Sequence, residues 1–179
     1  MELERFEKNY QAALDRLATA SEEAFPAGEA GWKELQKGGL YRLMNQPEQA
    51  RVSYEAARVV LERAVKDRPD DWVPRGYLGI AYAGLGRKAE AIREAKHGVE
   101  LLPVSKDALV GTLVVSRLAV VYTMVGEDEA ALDQIEYLLS IPSRMTVWTL
   151  RLDPTWDPLR DNPRFKKLVG EDWQAEASP

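Results

Sequence analysis

The sequence predicts an all-α fold: a solenoid of about three and a half antiparallel helical hairpins stacked in order and closed by a Pro/Trp-rich capping segment. Three observations predict it. Tyr82, Gly86, Ala91 and Ala95 recur as Tyr122, Gly126, Ala131 and Ile135, each 40 positions later, and as Tyr41, Asn45, Ala50 and Tyr54, each 41 positions earlier. In each copy an apolar helix stops at Gly or Asn, the residues that accept a left-handed backbone at a helix C-terminus, and a second helix follows. Two copies then close at Pro69 and Pro103, and Pro142 does nearly the same for the third.

The first element is a fragment. "EKNYQAALDRL" fits the second helix of a preceding hairpin, with Ala13 at the small-residue position and Leu14 and Leu17 on its apolar face. Its partner helix is missing or reduced to a few residues before Lys8. A repeat array that begins halfway through a unit exposes an apolar face, so the chain reads as the C-terminal part of a longer protein. Next, Pro47 opens an extended helix expected to reach Asp67.

The central hairpin carries "GYLGIAYAGLG", four glycines in eleven residues. Each costs a helix interior about 1 kcal/mol relative to alanine, so packing must compensate. Gly79 is expected to let two helices approach closely opposite Ala91 and Ala95, and Gly86 to make the turn. Gly76 and Gly84 are expected to thin the wall of a groove. After a longer connection near Pro103 to Asp107, the apolar run from Leu109 to Val125 contains Arg117 and is too short to span a bilayer comfortably, which favours a buried helix. Finally, "LRLDPTWDPLRDNPRF" places Asp or Asn before Pro154, Pro158 and Pro163, a pattern of successive turns. Asn162-Pro163 is expected to open one short helix through Leu168. The division is therefore a repeat array over 1–141 and a capping segment with a flexible tail over 142–179.

Composition narrows the function classes. In 179 residues, 45% are hydrophobic, enough to build a core. Acidic residues outnumber basic ones by 29 to 24, a net charge of −5, which argues against a nucleic-acid partner. Without cysteine there is no disulfide, thiolate nucleophile or cysteine zinc site. The N-terminus "MELERFEKNY" has no apolar core of the kind a secretory signal requires, and a cytoplasmic location without membrane insertion is expected.

"YLGIAYAGLGRKAEAIREAKHGVELLP" resembles the tetratricopeptide repeat, a unit of roughly 34 residues. Leu78, Gly79, Tyr82, Ala91, Ala95 and Pro103 match its pattern. The spacings of 40 and 41 depart from that unit and imply longer helices or loops. "LYRLMNQPEQARVSYEAARVVLE", "GEDEAALDQIEYLLSIPS" and the C-terminal turns are similar to the C-terminal repeat arrays of bacterial multidomain regulators, some attached to serine/threonine kinases or winged-helix regulators. "LVGTLVVSRLAVVY" is more apolar than that likeness implies.

The resemblance implies a concave groove formed by the first helix of each hairpin. By position it comprises Val73, Gly76, Ile80 and Ala83 from the central unit and Leu113, Ser116, Arg117, Val120 and Thr123 from the next. The clamp with which some members hold a C-terminal carboxylate is absent: Gly76 and Ile80 stand where its Lys and Asn would sit, and only Arg117 fits. An apolar groove suits an amphipathic helix or an extended hydrophobic segment.

Catalytic signals are weak. The single histidine, His97, has no nucleophile motif beside it, and a solvated surface residue is the favoured reading. The pairs Glu22-Glu23, Asp70-Asp71 and Glu171-Asp172 are adjacent in sequence and do not face each other on a helix. Asp153 and Asp157, each before Pro, are accounted for by repeated turns. "GLGRK" lacks the Ser or Thr of a phosphate loop. Trp148, Trp156 and Trp173 are expected to cover the open end of the array, and Arg160, Arg164, Lys166 and Lys167 to form a solvated face.

The expectation is a non-catalytic module that binds a protein or peptide partner, without cofactor or metal, Arg117 and rim charges orienting the partner. A structural spacer or homodimerisation element of a larger regulatory protein is the alternative, and an enzyme ranks third.

Overall fold

A computed structural model describes residues 9–19 and 31–170. The described residues are all-helical, without strands. In chain order they form α1 (Tyr10–Thr19), α2 (Trp32–Leu43), α3 (Pro47–Asp67), α4 (Trp72–Gly84), α5 (Lys88–Leu101), α6 (Val110–Met124), α7 (Asp128–Ser140), α8 (Val147–Leu152), a 3-10 turn (Pro154–Leu159) and α9 (Pro163–Val169). None of these helices is long and apolar enough to cross a membrane.

Backbone chemistry sets the three tight turns. Asn45, Gly86 and Gly126 have φ of 57°, 74° and 73°. At each turn the next residue's N–H reaches back to the carbonyl of the matched tyrosine: Gln46 to Tyr41 at 2.9 Å, Arg87 to Tyr82 at 2.9 Å, and Glu127 to Tyr122 at 3.0 Å. The left-handed residue also donates one turn back, to Arg42, Ala83 or Thr123. This double closure satisfies carbonyls that a helix end would otherwise leave open. The repeat in the sequence is thus a repeat of turn geometry.

Other boundaries are local too. Pro47 occupies the first turn of α3, where its missing N–H costs nothing. The Asp71 carboxylate accepts from Val73 N at 2.9 Å and caps α4. Asp153 caps the 3-10 turn through Thr155 N, and Asn162 caps α9 through Arg164 N.

The helices pair as α2/α3, α4/α5 and α6/α7; α3 also packs on α4 and α5 on α6, while α4 neighbours both α2 and α6. α1 lies against α2 through Ala13, Leu14, Leu17 and Leu40. The C-terminal residues join the main core: Leu150, Trp156, Leu159, Phe165 and Val169 are buried in the same cluster as the hairpins.

Close approach is arranged by glycine, though not always where expected. A Cβ on Gly79 would stand 3.0 Å from the Ala91 carbonyl and 3.1 Å from the Ala95 Cβ, so this glycine does join α4 to α5. Gly84 instead makes room for the Tyr54 ring of α3, and Gly76 lies beneath Arg117, whose Cδ is 2.9 Å from where a Cβ would be. Neither one thins an open wall; each accommodates a large side chain from another helix. Trp148 is 66% exposed and Trp156 only 4%, so of these two only Trp156 covers the core. Trp173 lies outside the described residues.

Candidate functional site

The first helices of the hairpins and the 3-10 turn enclose a cavity of about 240 Å³. α2 contributes Leu35, Gln36, Gly39 and Arg42; α4 contributes Tyr77 and Ile80; α6 contributes Ser116, Val120 and Met124. Tyr54 of α3 completes that side, and Asp153, Thr155 and Trp156 close the other. Two further cavities adjoin it. One, of about 340 Å³, shares Ser116, Asp153 and Trp156 and continues along Leu113, Met145 and Thr149. The other, of about 190 Å³, shares Arg42 and Tyr54 and reaches Asn45, Gln46 and Gly84. Through these shared residues the three extend from the α2–α3 turn across α4 and α6 to α8.

The nine residues expected to line a groove divide by burial. Ile80, Ser116 and Val120 meet in the central cavity, and Leu113 lies in the adjoining one. Val73 is half-buried and packs against the main core. Ala83 and Thr123 are buried, at 7% and 3% exposure, and the Thr123 hydroxyl donates to the Ala119 carbonyl. Neither lines the cavity. Gly76 is covered by Arg117.

Arg117 is half-buried and held against α4. Its Nη2 donates to the Tyr77 hydroxyl at 2.8 Å, and its guanidinium lies 4.0 Å from the Tyr77 ring centre and 5.3 Å from that of Trp72. Such cation–π contacts fix α6 against α4. The cavity is not wholly apolar: Gln36, Arg42, Asp153 and Thr155 stand among its walls. The Asp153 carboxylate accepts from Thr155 N at 2.9 Å and from Thr155 Oγ1 at 2.7 Å, which fixes the turn that carries Trp156.

Residues α2 brings to the site were not singled out from the sequence, although the repeat names them. Subtracting 41 from Tyr77, Ile80 and Ala83 gives Gln36, Gly39 and Arg42. For Asp153, Thr155 and Trp156 no comparable signal exists, because they belong to the segment that departs from the repeat.

The other singled-out groups have structural partners or lie apart. His97 is half-buried on α5. Asp157 pairs with Arg160 at 2.6 Å, and Arg160 also donates to the Arg151 carbonyl. Arg164 pairs with Glu129, Asp133 and Glu136 of α7, so the expected solvated basic face holds only in Lys166 and Lys167. Glu22-Glu23 and Glu171-Asp172 lie outside the described residues. Among the described residues, no group of three side chains is placed to hold a metal ion.

Comparison of the chain with family models, curated proteins and solved structures gives no match.

Proposed function

We propose that the chain is a non-catalytic, tetratricopeptide-like solenoid that binds a peptide or helix of a partner protein along α2, α4 and α6. One observation carries the reading: three cavities joined by shared wall residues extend from the α2–α3 turn across α4 and α6 to α8, with Ile80, Val120, Met124 and Trp156 supplying apolar surface and polar residues at intervals. A set of joined pockets suits a ligand that presents a side chain to each, as an extended or helical peptide does. The reading places the chain in the cytoplasm as part of a larger bacterial regulator, in keeping with its lack of cysteine.

The test is photo-cross-linking in cells from a reactive residue at position 120, compared with one at Lys96 on the exposed face of α5. A protein captured from position 120, not from 96, and lost when Ile80→Glu is added supports the reading, provided circular dichroism shows that variant folded. Equal capture from both positions, or none from 120, sinks it.

Self-association is favoured by a separate observation. Val52, Val59 and Val60 on α3 are 63%, 56% and 43% exposed, an apolar stripe on the opposite helix layer. Sedimentation of the wild type against a Val52→Lys, Val59→Lys variant distinguishes the two roles.

A further inference from the structure

Resting on the peptide-binding reading, we infer that Arg42 is the receptor for an acidic side chain of the bound segment. Arg42 sits on the last turn of α2 and borders both the central cavity and the one that reaches Gly84. Its Nε is buried and has no hydrogen-bond acceptor. Three other guanidiniums of the hairpins hold carboxylates: Arg58 holds Glu55 and Glu62, Arg75 holds Glu94, and Arg87 holds Glu90. A guanidinium that borders a cavity and, among the described residues, holds no carboxylate is poorly compensated, and an incoming carboxylate that reaches its terminal nitrogens relieves that cost.

The surroundings specify the chemistry further. Gln36 and Ser116, in the same cavity, carry an amide and a hydroxyl that can donate to a peptide carbonyl. The cavity's one carboxylate, Asp153, is engaged with Thr155. Ile80, Val120 and Met124 offer apolar surface beside Arg42. The guanidinium fork matches a carboxylate in two parallel hydrogen bonds. The site therefore selects a segment in which Asp or Glu stands close to an aliphatic or aromatic residue. The joined cavities favour a peptide over a free small carboxylate, since such an acid would fill only the middle one.

The test is selection of a randomised peptide-display library on the full chain, followed by affinity measurement with synthetic peptides acetylated and amidated at their ends. The expected result is enrichment of an acid beside an apolar residue. Changing that Glu to Gln in the peptide should weaken binding roughly 30-fold for the wild type. In Arg42→Gln the same change should have almost no effect, and Arg42→Lys should keep the acid preference with weaker binding. Thermal melts establish that both variants fold.

Peptides that bind in the cavity, as judged by loss in the Ile80→Glu, Val120→Glu variant, yet show no acid preference overturn the role of Arg42 and leave the peptide-binding reading standing. An acid preference unchanged in Arg42→Gln does the same. A need for the peptide's free C-terminal carboxylate, seen when only unamidated peptides bind, overturns the assignment to a side chain. Selection of no peptide, or of peptides indifferent to the cavity variant, overturns both.

Discussion

Gly38 and Tyr54 are a matched pair across the first hairpin: the Tyr54 ring lies 2.8 Å from where a Cβ on Gly38 would stand. The same two positions hold Gly79 and Ala95 in the second hairpin and Ala119 and Ile135 in the third. Tyr54 is 2% exposed and also occupies the space left by Gly84, so it reaches across from one hairpin to the next. One large ring thus does in the first hairpin what small residues do in the second.

Gly38→Ala is expected to destabilise the protein despite alanine's better helix propensity. Overpacking a well-filled site costs about 1–3 kcal/mol, and the propensity gain returns at most about 1. A net loss of roughly 1 kcal/mol should appear as a lower urea midpoint. In a Tyr54→Leu background the ring is gone, and Gly38→Ala should become neutral or stabilising. A raised midpoint in the otherwise wild-type chain would refute the packing account.

The Arg75–Glu94 pair links α4 to α5 at 2.9 Å, with both side chains nearly buried. Arg75 also donates from Nε and Nη2 to the Pro69 carbonyl, tying the end of the α3–α4 connection to α4. Glu94→Ala leaves a buried guanidinium without its carboxylate, at an expected cost of about 3 kcal/mol. Glu94→Gln keeps an acceptor and should cost less. Chemical unfolding of both variants checks the order, and equal losses would contradict it.

Tyr82 and Glu62 couple the second and first hairpins through a 2.7 Å hydrogen bond, with Arg87 stacked 4.4 Å from the tyrosine ring centre. Burial, then the bond to Glu62, pushes the Tyr82 phenol up to about 12. Burial alone would raise the Glu62 carboxyl, but hydrogen bonds from Arg58 and Tyr82 outweigh it and hold it below the ordinary range. The folded phenol pKa lies above the unfolded value of about 10, so its contribution to stability is complete below pH ~10. It is lost as pH rises from there through about 12. For Glu62 the sign is opposite: its contribution is present above the unfolded pKa of about 4.3 and is lost as pH falls through the lower folded value. Tyr82→Phe should therefore flatten the alkaline limb of the stability profile. Ultraviolet titration of the phenolates should show one late-ionising tyrosine in the folded wild type that is missing from the variant.

Arg164 of α9 joins Glu129, Asp133 and Glu136, at 2.6, 3.0 and 2.9 Å, along one face of α7. The hydrogen bonds it donates to Glu136, Glu129 and Asp133 raise the guanidinium pKa further. Because the cluster is open to solvent, salt screens it. Arg164→Ala should speed amide exchange in α9 selectively, leaving α4 and α5 unchanged. Raising the salt concentration should reduce the difference between variant and wild type. An increase spread evenly over the whole chain would show that Arg164 does not act locally.

What the residues disclosed in advance was chiefly what depends on near neighbours. The ends of α3 at Asp67 and of α5 at Leu101 follow from Pro69 and Pro103, and the expected helix after Asn162 runs from Pro163 to Val169. The candidate site was less legible. Ile80, Ser116 and Val120 could be named by position within the repeat. Ala83 and Thr123 are buried and do not line the cavity, Arg42 follows only when the repeat is extended back to α2, and Trp156 comes from a part of the chain whose approach no local pattern announces.

By itself, then, the sequence determined the helical class, the spacing of the turns and the left-handed backbone at Asn45, Gly86 and Gly126, because steric limits on φ and ψ act within a few residues. Tertiary structure alone decided that Tyr54 fills the space at Gly38 and Gly84, that Trp156 closes the cavity, and that Arg117 is held by Tyr77 and Trp72. Those outcomes turn on which volumes fit and which charges find partners when residues distant in the chain meet.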